Sequence, residues 1–276
     1  MWSTVLLSCL LATAFGDQIE EELKERSTRI VNGNEASTGA YPYQVSFQVE
    51  YLGHWYHICG GTIVTRNKIV TAAHCAVAYP QFPWRVELGT VVINDVTNPN
   101  RQAIDVASYE IHEGYTPLDN LPNDIAILTL ASKARITRFV QPALLPSNRD
   151  QFVDQPCVIT GFGYVNATSG ASPVLRETTT RAMSNDACNA HYRAVAEDRA
   201  YVLDGQICVL DLNRPVGHRP GACYGDSGGP AMCGRHFKFF AGIASWLVSC
   251  DGEHPVTYTR VSYYLDWIRA RLHDKQ

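Results

Sequence analysis

The stretch Gly225-Asp-Ser-Gly-Gly-Pro230 sets one hydroxyl between glycines and beside a carboxylate. Glycine lets the backbone take positive φ and approach a ligand closely. A sharp turn here would expose the Ser227 hydroxyl and aim the amides of Gly225 and Ser227 at one point. Two such amides are what a tetrahedral oxyanion needs. By itself a Gly-Ser-Gly run is an ordinary turn, so nucleophilic chemistry requires a base and an orienter elsewhere. Two other stretches offer them. Thr71-Ala-Ala-His-Cys75 puts His74 just after an apolar strand, and Asn123-Asp124 stands at the mouth of a second apolar strand. Alone, the first is usually a structural histidine and the second a turn. Together they supply a group that titrates near neutral pH and a carboxylate able to fix its tautomer and stabilise the imidazolium.

The elements that must position these residues read as short strands. Residues 43–49 alternate with period two. Residues 62–64, 68–70, 85–88, 125–130, 158–160 and 237–246 are apolar or alternating, with Gly, Pro or Asn between them. Such spacing predicts an all-β sandwich or barrel. Only the C-terminal end reads as helical: Val261, Tyr264, Leu265, Ile268 and Leu272 fall on one helical face.

The chain has 276 residues, 46% of them hydrophobic and 18% charged. That suits a sizeable core in one large or two small units. A formal charge of -4, with no basic run, argues against nucleic acid, and no apolar run is long enough to span a bilayer. The N-terminus carries an apolar run over residues 5–15, with Ala14 and Gly16 at the spacing a signal peptidase reads. Residues 1–16 therefore read as a signal peptide and the protein as secreted and extracellular, although Met1-Trp-Ser-Thr supplies no basic residue. Removal of the signal takes Cys9. Eight cysteines remain: Cys59, Cys75, Cys157, Cys188, Cys208, Cys223, Cys233 and Cys250. An even number in a secreted chain points to four disulfides, with 105 pairings open. The absence of any Cys-x-x-Cys pair argues against structural zinc. Residues 17–29 are charged and without apolar periodicity, reading as a solvated pro-segment, and the Arg29-Ile30 junction as a cut site for a trypsin-like enzyme.

His74, Asp124 and Ser227, in that chain order, resemble the trypsin/chymotrypsin family of serine endopeptidases. Residues 71–75, 124–128, 225–230 and Ser245-Trp246 carry the resemblance, which runs from Ile30 to the C-terminal helix. It implies two six-stranded antiparallel β-barrels, with the active site in the cleft between them, over a domain of residues 30–276. It implies disulfides Cys59–Cys75, Cys157–Cys233, Cys188–Cys208 and Cys223–Cys250, leaving no cysteine to tether the pro-segment. It also implies a mechanism. Ser227 attacks the scissile carbonyl, His74 takes its proton and returns it to the leaving amine, Asp124 holds His74, and the amides of Gly225 and Ser227 bind the oxyanion. The rate should then fall as the pH drops through about 6.5, where an ordinary histidine protonates. Cleavage after Arg29 would free the Ile30 amine to pair with Asp226, which His57 is expected to hold beforehand.

The same resemblance locates a specificity pocket. Its floor is Gly221 with Ala222, where trypsins carry Asp; Ser245, Trp246 and Leu247 form one wall and Val256 the other, a one-residue slip to Thr257 being the alternative. Leu247 and Val256 stand where trypsins and chymotrypsins keep glycine, as bulky residues do in elastases, so small aliphatic residues are the expected preference. A broad chymotrypsin- or collagenase-like specificity is the alternative; Asp251 and Glu253, the nearby acids, read as solvated loop charges. A non-catalytic binding homologue is disfavoured because every triad and activation residue is present. A cascade protease is disfavoured by the absence of extra modules and of a trypsin-like pocket. Expected partners are extended polypeptide substrates, an activating trypsin-like protease and protein protease inhibitors, with a monomeric state, no nucleic acid and no membrane. The chemistry needs no cofactor. No metal is expected in the loop of residues 90–100, where many relatives bind calcium, because Thr90 replaces an acidic ligand. Asn166-Ala-Thr168 is a glycosylation sequon.

Overall fold

The computed structural model describes residues 33–118, 120–164, 170–195 and 201–272. The Arg29-Ile30 junction, the segments read as signal and pro-segment, and the Asn166 sequon lie outside the described residues. After a two-residue strand β1 (Asn34–Glu35) come β2 (Gln44–Tyr51), β3 (His54–Ile63), β4 (Lys68–Thr71), β5 (Trp84–Leu88), β6 (Gln102–Ile111) and β7 (Ala126–Leu130). These six close into a barrel in the order β2-β3-β4-β7-β6-β5. Then come β8 (Pro156–Gly161), β9 (Arg176–Met183), β10 (Gln206–Val209), β11 (Pro230–Cys233), β12 (Phe239–Leu247) and β13 (Val256–Arg260). They run in the order β9-β10-β13-β12-β11-β8, and the β8–β9 pairing closes the second barrel, with β1 laid on the free edge of β9. All named pairings are antiparallel. Closure removes the exposed edges that an open sheet would present.

Three helices are described: α1 (Ala73–Ala78), α2 (Asn185–Ala194) and α3 (Leu265–Arg271). The sequence led us to expect only the last. In α2 just Cys188 and Tyr192 are buried, and Ser184 caps the start by accepting from the Ala187 amide at 3.2 Å. Two inward residues leave too thin a stripe to register as a period. At the C-terminus, Val261 and Tyr264 precede α3 rather than belonging to it, yet both are buried in the core that Leu265 and Ile268 enter. Phe237 sits in a 3-10 turn with positive φ, so β12 begins at Phe239.

The strand β9 was also illegible, for a different reason. Its burial alternates, but the inward residues over most of its length are Arg176, Thr178 and Thr180, and apolar ones, Ala182 and Met183, come only at its end. The β13 strand is buried at every position, so no alternation exists there to read. Disulfides join Cys59 to Cys75, Cys157 to Cys233, Cys188 to Cys208 and Cys223 to Cys250.

The barrels meet where Gly60 of β3 faces Gly229, just before β11. A Cβ on Gly60 would lie 2.7 Å from the Gly229 Cα, and backbone does not yield as a flexible side chain does. Gly60→Ala should therefore force the seam apart at a cost of about 1–3 kcal/mol. We expect the thermal midpoint to drop by several degrees; an unchanged melting curve would show that the seam has slack.

Candidate active site

Each chemically competent side chain stands at the end of a strand, on the seam. The chain leaves β4 directly into the first turn of α1, which carries His74. Asp124 stands two residues before β7, after Asn123, whose φ is +55°. Asparagine tolerates that left-handed backbone. Its side chain is used too: Nδ2 donates to the Gly114 carbonyl at 2.7 Å, and Oδ1 accepts from the Tyr264 hydroxyl at 3.0 Å.

The Asp124 carboxylate has no solvent exposure, while the His74 ring is a quarter exposed. Asp124 Oδ1 accepts from the His74 backbone amide at 2.9 Å, and Oδ2 accepts from His74 Nδ1 at 2.8 Å. Oδ2 also takes the Ser245 hydroxyl at 2.6 Å, and the Asp124 carbonyl takes the Thr259 hydroxyl at 2.7 Å. This donor set places the imidazole proton on Nδ1 and leaves the Nε2 lone pair for a substrate-side proton. Burial opposes a charged imidazole, but the Asp124 charge and its hydrogen bond outweigh it and raise the His74 pKa above 6.5. Cys59, His74 and Cys75 cluster closely, but both cysteines are consumed in one disulfide and offer no thiolate to a metal.

The Ser227 turn is built on positive φ at Gly225, +89°, and Gly228, +77°. It docks on the first barrel, where the Gly60 amide donates to the Ser227 carbonyl at 2.7 Å and Thr71 Oγ1 donates to the Gly60 carbonyl at 2.9 Å. Thr71 is three residues before His74, so this path ties the Ser227 turn to the histidine turn. Among the described residues, the amides of Gly225 and Ser227 donate to no protein acceptor. The Ser227 hydroxyl forms no hydrogen bond with His74 or any other described group; such contacts are often open before a substrate completes the site.

The Asp226 carboxylate is buried in a slot between Gly161 and Gly163, where added Cβ atoms would overlap it. It accepts from the Gly163 amide at 2.8 Å and the Cys223 amide at 2.9 Å, and no cation among the described residues pairs with it. Burial pushes its pKa up to about 6 despite those two hydrogen bonds. Against expectation, among the described residues no hydrogen bond joins His57 to Asp226. His57 instead lies against the Gly225 carbonyl at 3.0 Å and Ser46 Oγ at 2.9 Å. Two backbone amides, rather than the histidine, receive the Asp226 carboxylate.

Beside this turn, Gly221 and Ala222 are buried. A Cβ on Gly221 would meet Val256 Cγ2 at 3.7 Å and the Gly252 Cα at 3.5 Å. Thr257 turns the other way, its hydroxyl 3.1 Å from that of Tyr192. Leu247 packs on the apolar cluster that contains Ala222 and Val256, and Trp246 stacks on Tyr192 at 5.2 Å. Glu253 is not a free solvated charge: it pairs with Arg219 at 3.1 Å and takes the Gly217 amide. Asp251 is half exposed and accepts from the Glu253 amide at 2.8 Å. Sequence reasoning assigned Ser245 to the pocket wall and missed its hydroxyl on Asp124. It also missed Thr259 and Tyr264, since nothing in an isolated β13 or C-terminal segment points to the distant Asn123-Asp124 turn that their hydroxyls hold.

With this geometry in view, comparison with known proteins is specific. The sequence model of the Trypsin family matches residues 30–268. The chain is 34% identical over 246 residues to a protein named fibrinolytic enzyme, isozyme C, from Lumbricus rubellus, covering 87% of this chain and 98% of that one. It is 33% identical over 274 residues to a chymotrypsin-like serine proteinase from Haliotis rufescens, covering 97% and 98%. It is 32% identical over 245 residues to trypsin-1 from Astacus astacus, covering 87% and 99%.

The raised His74 pKa corrects the midpoint of about 6.5 expected for an ordinary histidine. The ring should be neutral above its folded pKa and charge as pH falls through it. A proton magnetic resonance titration of the His74 ring should therefore give a midpoint above 6.5. A midpoint below that value would mean that burial outweighs Asp124.

Proposed function

The chain belongs to the trypsin family of serine endopeptidases, and from that premise we propose that it is secreted as a zymogen, activated by cleavage after Arg29, and cuts extended polypeptides after small aliphatic residues. His74 accepts the Ser227 proton as the hydroxyl attacks the scissile carbonyl. The amides of Gly225 and Ser227, which have no acceptor among the described residues, receive the oxyanion. His74 then protonates the leaving amine, and water repeats the sequence on the acyl-enzyme. Asp124 keeps the imidazole in the tautomer the reaction needs and stabilises the imidazolium. Four disulfides accord with an oxidising, extracellular destination.

The observation that carries the specificity is the contact at Gly221. Its floor bears no charge, and the opposing Val256 methyl comes within contact of where a side chain would begin. Leu247 closes the same apolar cluster, while the nearest acid, Glu253, is tied to Arg219. A long basic side chain would find neither room nor a counter-charge. Each methylene in such a pocket changes discrimination by only about 1–3 kcal/mol, so the preference is graded. The extended substrate adds as a strand along residues 245–247. A broader chymotrypsin-like preference is the competing reading, and the relative from Haliotis rufescens carries that name.

Activation follows from Asp226. A buried carboxylate with two amide donors but no described cation has its ionised form disfavoured, and the freed Ile30 amine supplies the missing charge.

Three measurements test this reading. An organophosphonate should label Ser227 in the trypsin-treated protein but not in Ser227→Ala; absence of labelling in the treated wild type rejects the enzyme assignment. Arg29→Gln should stay folded and resist activation by trypsin, and full activity in that variant rejects the activation site. In a peptide-library profile, Ala and Val should lead at the residue donating the scissile carbonyl. Val256→Gly should shift preference toward Phe and Tyr by about tenfold or more, at 1.4 kcal/mol per factor of ten; an unmoved profile rejects the pocket assignment.

A further inference from the structure

The first barrel holds a chain of buried polar side chains that the reaction as described does not use. It begins at the Gly225 carbonyl, which only accepts hydrogen bonds, so the facing His57 Nε2, 3.0 Å away, carries the proton. Burial lowers the His57 pKa to about 4, against the opposing pull of that carbonyl, and the ring is neutral at working pH. Its Nδ1 therefore accepts, and the Ser46 hydroxyl at 2.9 Å donates to it. Ser46 Oγ in turn accepts from Gln48 Nε2 at 3.1 Å, and the same Nε2 donates to Glu87 Oε2 at 3.2 Å. Gln48 Oε1 accepts from Arg85 Nε at 2.7 Å. Glu87 Oε2 also takes Arg101 Nη2 at 3.0 Å, and Oε1 takes the Asn94 amide at 2.9 Å.

Every direction in this chain is forced by its ends. Arginine only donates and a carboxylate only accepts, so the Gln48 amide has one orientation, the Ser46 hydroxyl one direction and His57 one tautomer. Ser46, Gln48 and Glu87 are 1%, 0% and 2% exposed, so water cannot replace a missing member cheaply. The Gly225 carbonyl belongs to the peptide that links Gly225 to Asp226. Holding that carbonyl restricts the positive-φ turn from which the Gly225 amide projects.

We propose that Gln48 and Glu87 are positioning residues for the oxyanion-binding amides, acting through Ser46 and His57 on the Gly225 peptide. The assignment rests on the role given above to the Gly225 and Ser227 amides. Its consequence is that the ion cluster beneath residues 90–101 determines how well the far barrel stabilises a transition state. No metal or mobile element is needed for the effect. One wrong tautomer of His57 would set a lone pair against the Gly225 carbonyl and push that peptide away.

The test uses the activated enzyme, with Gln48→Met, which removes every polar contact at nearly constant volume, and Ser46→Ala as an independent break closer to His57. Phosphonate titration first counts competent active sites. If the wild type does not label, the parent assignment fails; if it labels, the following readouts judge this proposal alone. Each folded variant should lose about tenfold in kcat, with KM within twofold, the size of one net hydrogen bond. A peptide boronate, whose adduct is tetrahedral, should bind more weakly by the same factor, while the affinity of a cleaved product peptide stays unchanged. Nitrogen-15 spectra should show His57 as the Nε2–H tautomer in the wild type and as a mixture in both variants. A general loss of packing would lower the melting temperature without this split. Wild-type kcat and boronate affinity in either folded variant, or an unchanged His57 tautomer, overturns the proposal.

Discussion

A single buried charge organises this molecule. The Asp124 carboxylate has no contact with solvent, and a charge in that position is tolerable only with donors on every side. No one element can provide them. Two come from the His74 turn after β4 and one from Ser245 of β12, while Thr259 of β13 anchors the adjoining carbonyl. Both barrels are thus drawn to one point, and the cleft between them is the place where the requirement is met. The imidazole is the one donor of the set that also reaches outward.

A second buried carboxylate, Asp226, is treated in the opposite way. Two backbone amides receive it, with no cation among the described residues, and its pKa rises to about 6. Asp124 serves a group that must gain and lose a proton at each turnover, so its environment favours that group's charged state. Asp226 has an environment that a positive charge would improve, and the Ile30 amine proposed above answers that need. The same turn carries Ser227, and its Gly225 and Ser227 amides donate to no acceptor among the described residues. Two acids in one cleft thereby take different roles through solvation and partners alone.

The parts of the fold that were legible in the sequence share one property: an apolar run or alternation enters the core, even where buried polar residues such as Ser46 and Gln48 of β2 accompany it. Strands β2, β4 and β7 put Val45, Phe47, Ile69, Val70, Ile127 and Leu128 into the core, and the runs announced themselves. The strand β9 buries arginine and threonine, and α2 buries two residues in ten. Both pack as well as their neighbours, but their stabilisation comes from tertiary hydrogen bonds and a disulfide, which no periodicity reports. Arg176, for example, meets Glu35 of β1 at 3.1 Å and Ser172 Oγ at 3.3 Å. Glu35 is distant from it in the chain, and Ser172, four residues before it, lies outside the strand.

Candidates for the nucleophile, the base and the orienting acid were available from residue type and local spacing, but each alone read as a turn or a structural residue, and only their combination and the family resemblance singled them out. The even use of eight cysteines was simple arithmetic, whereas their pairing came only with the family resemblance. Tertiary structure alone decided where neighbouring side chains point. In β12 the register slips between Ala244 and Trp246, and Ser245 is the extra residue of that bulge. A bulge breaks the two-residue alternation of a strand, so Ser245 turns to Asp124 while Leu247, two residues on, packs on the cluster of Ala222 and Val256. Across the pair Val256 faces Gly221, and Thr257 goes to Tyr192. His57 likewise selects the Gly225 carbonyl over Asp226 because of what lies within 3 Å of its ring. Those directions follow from strand pairing and close contact, which exist only after the two barrels have closed on one another.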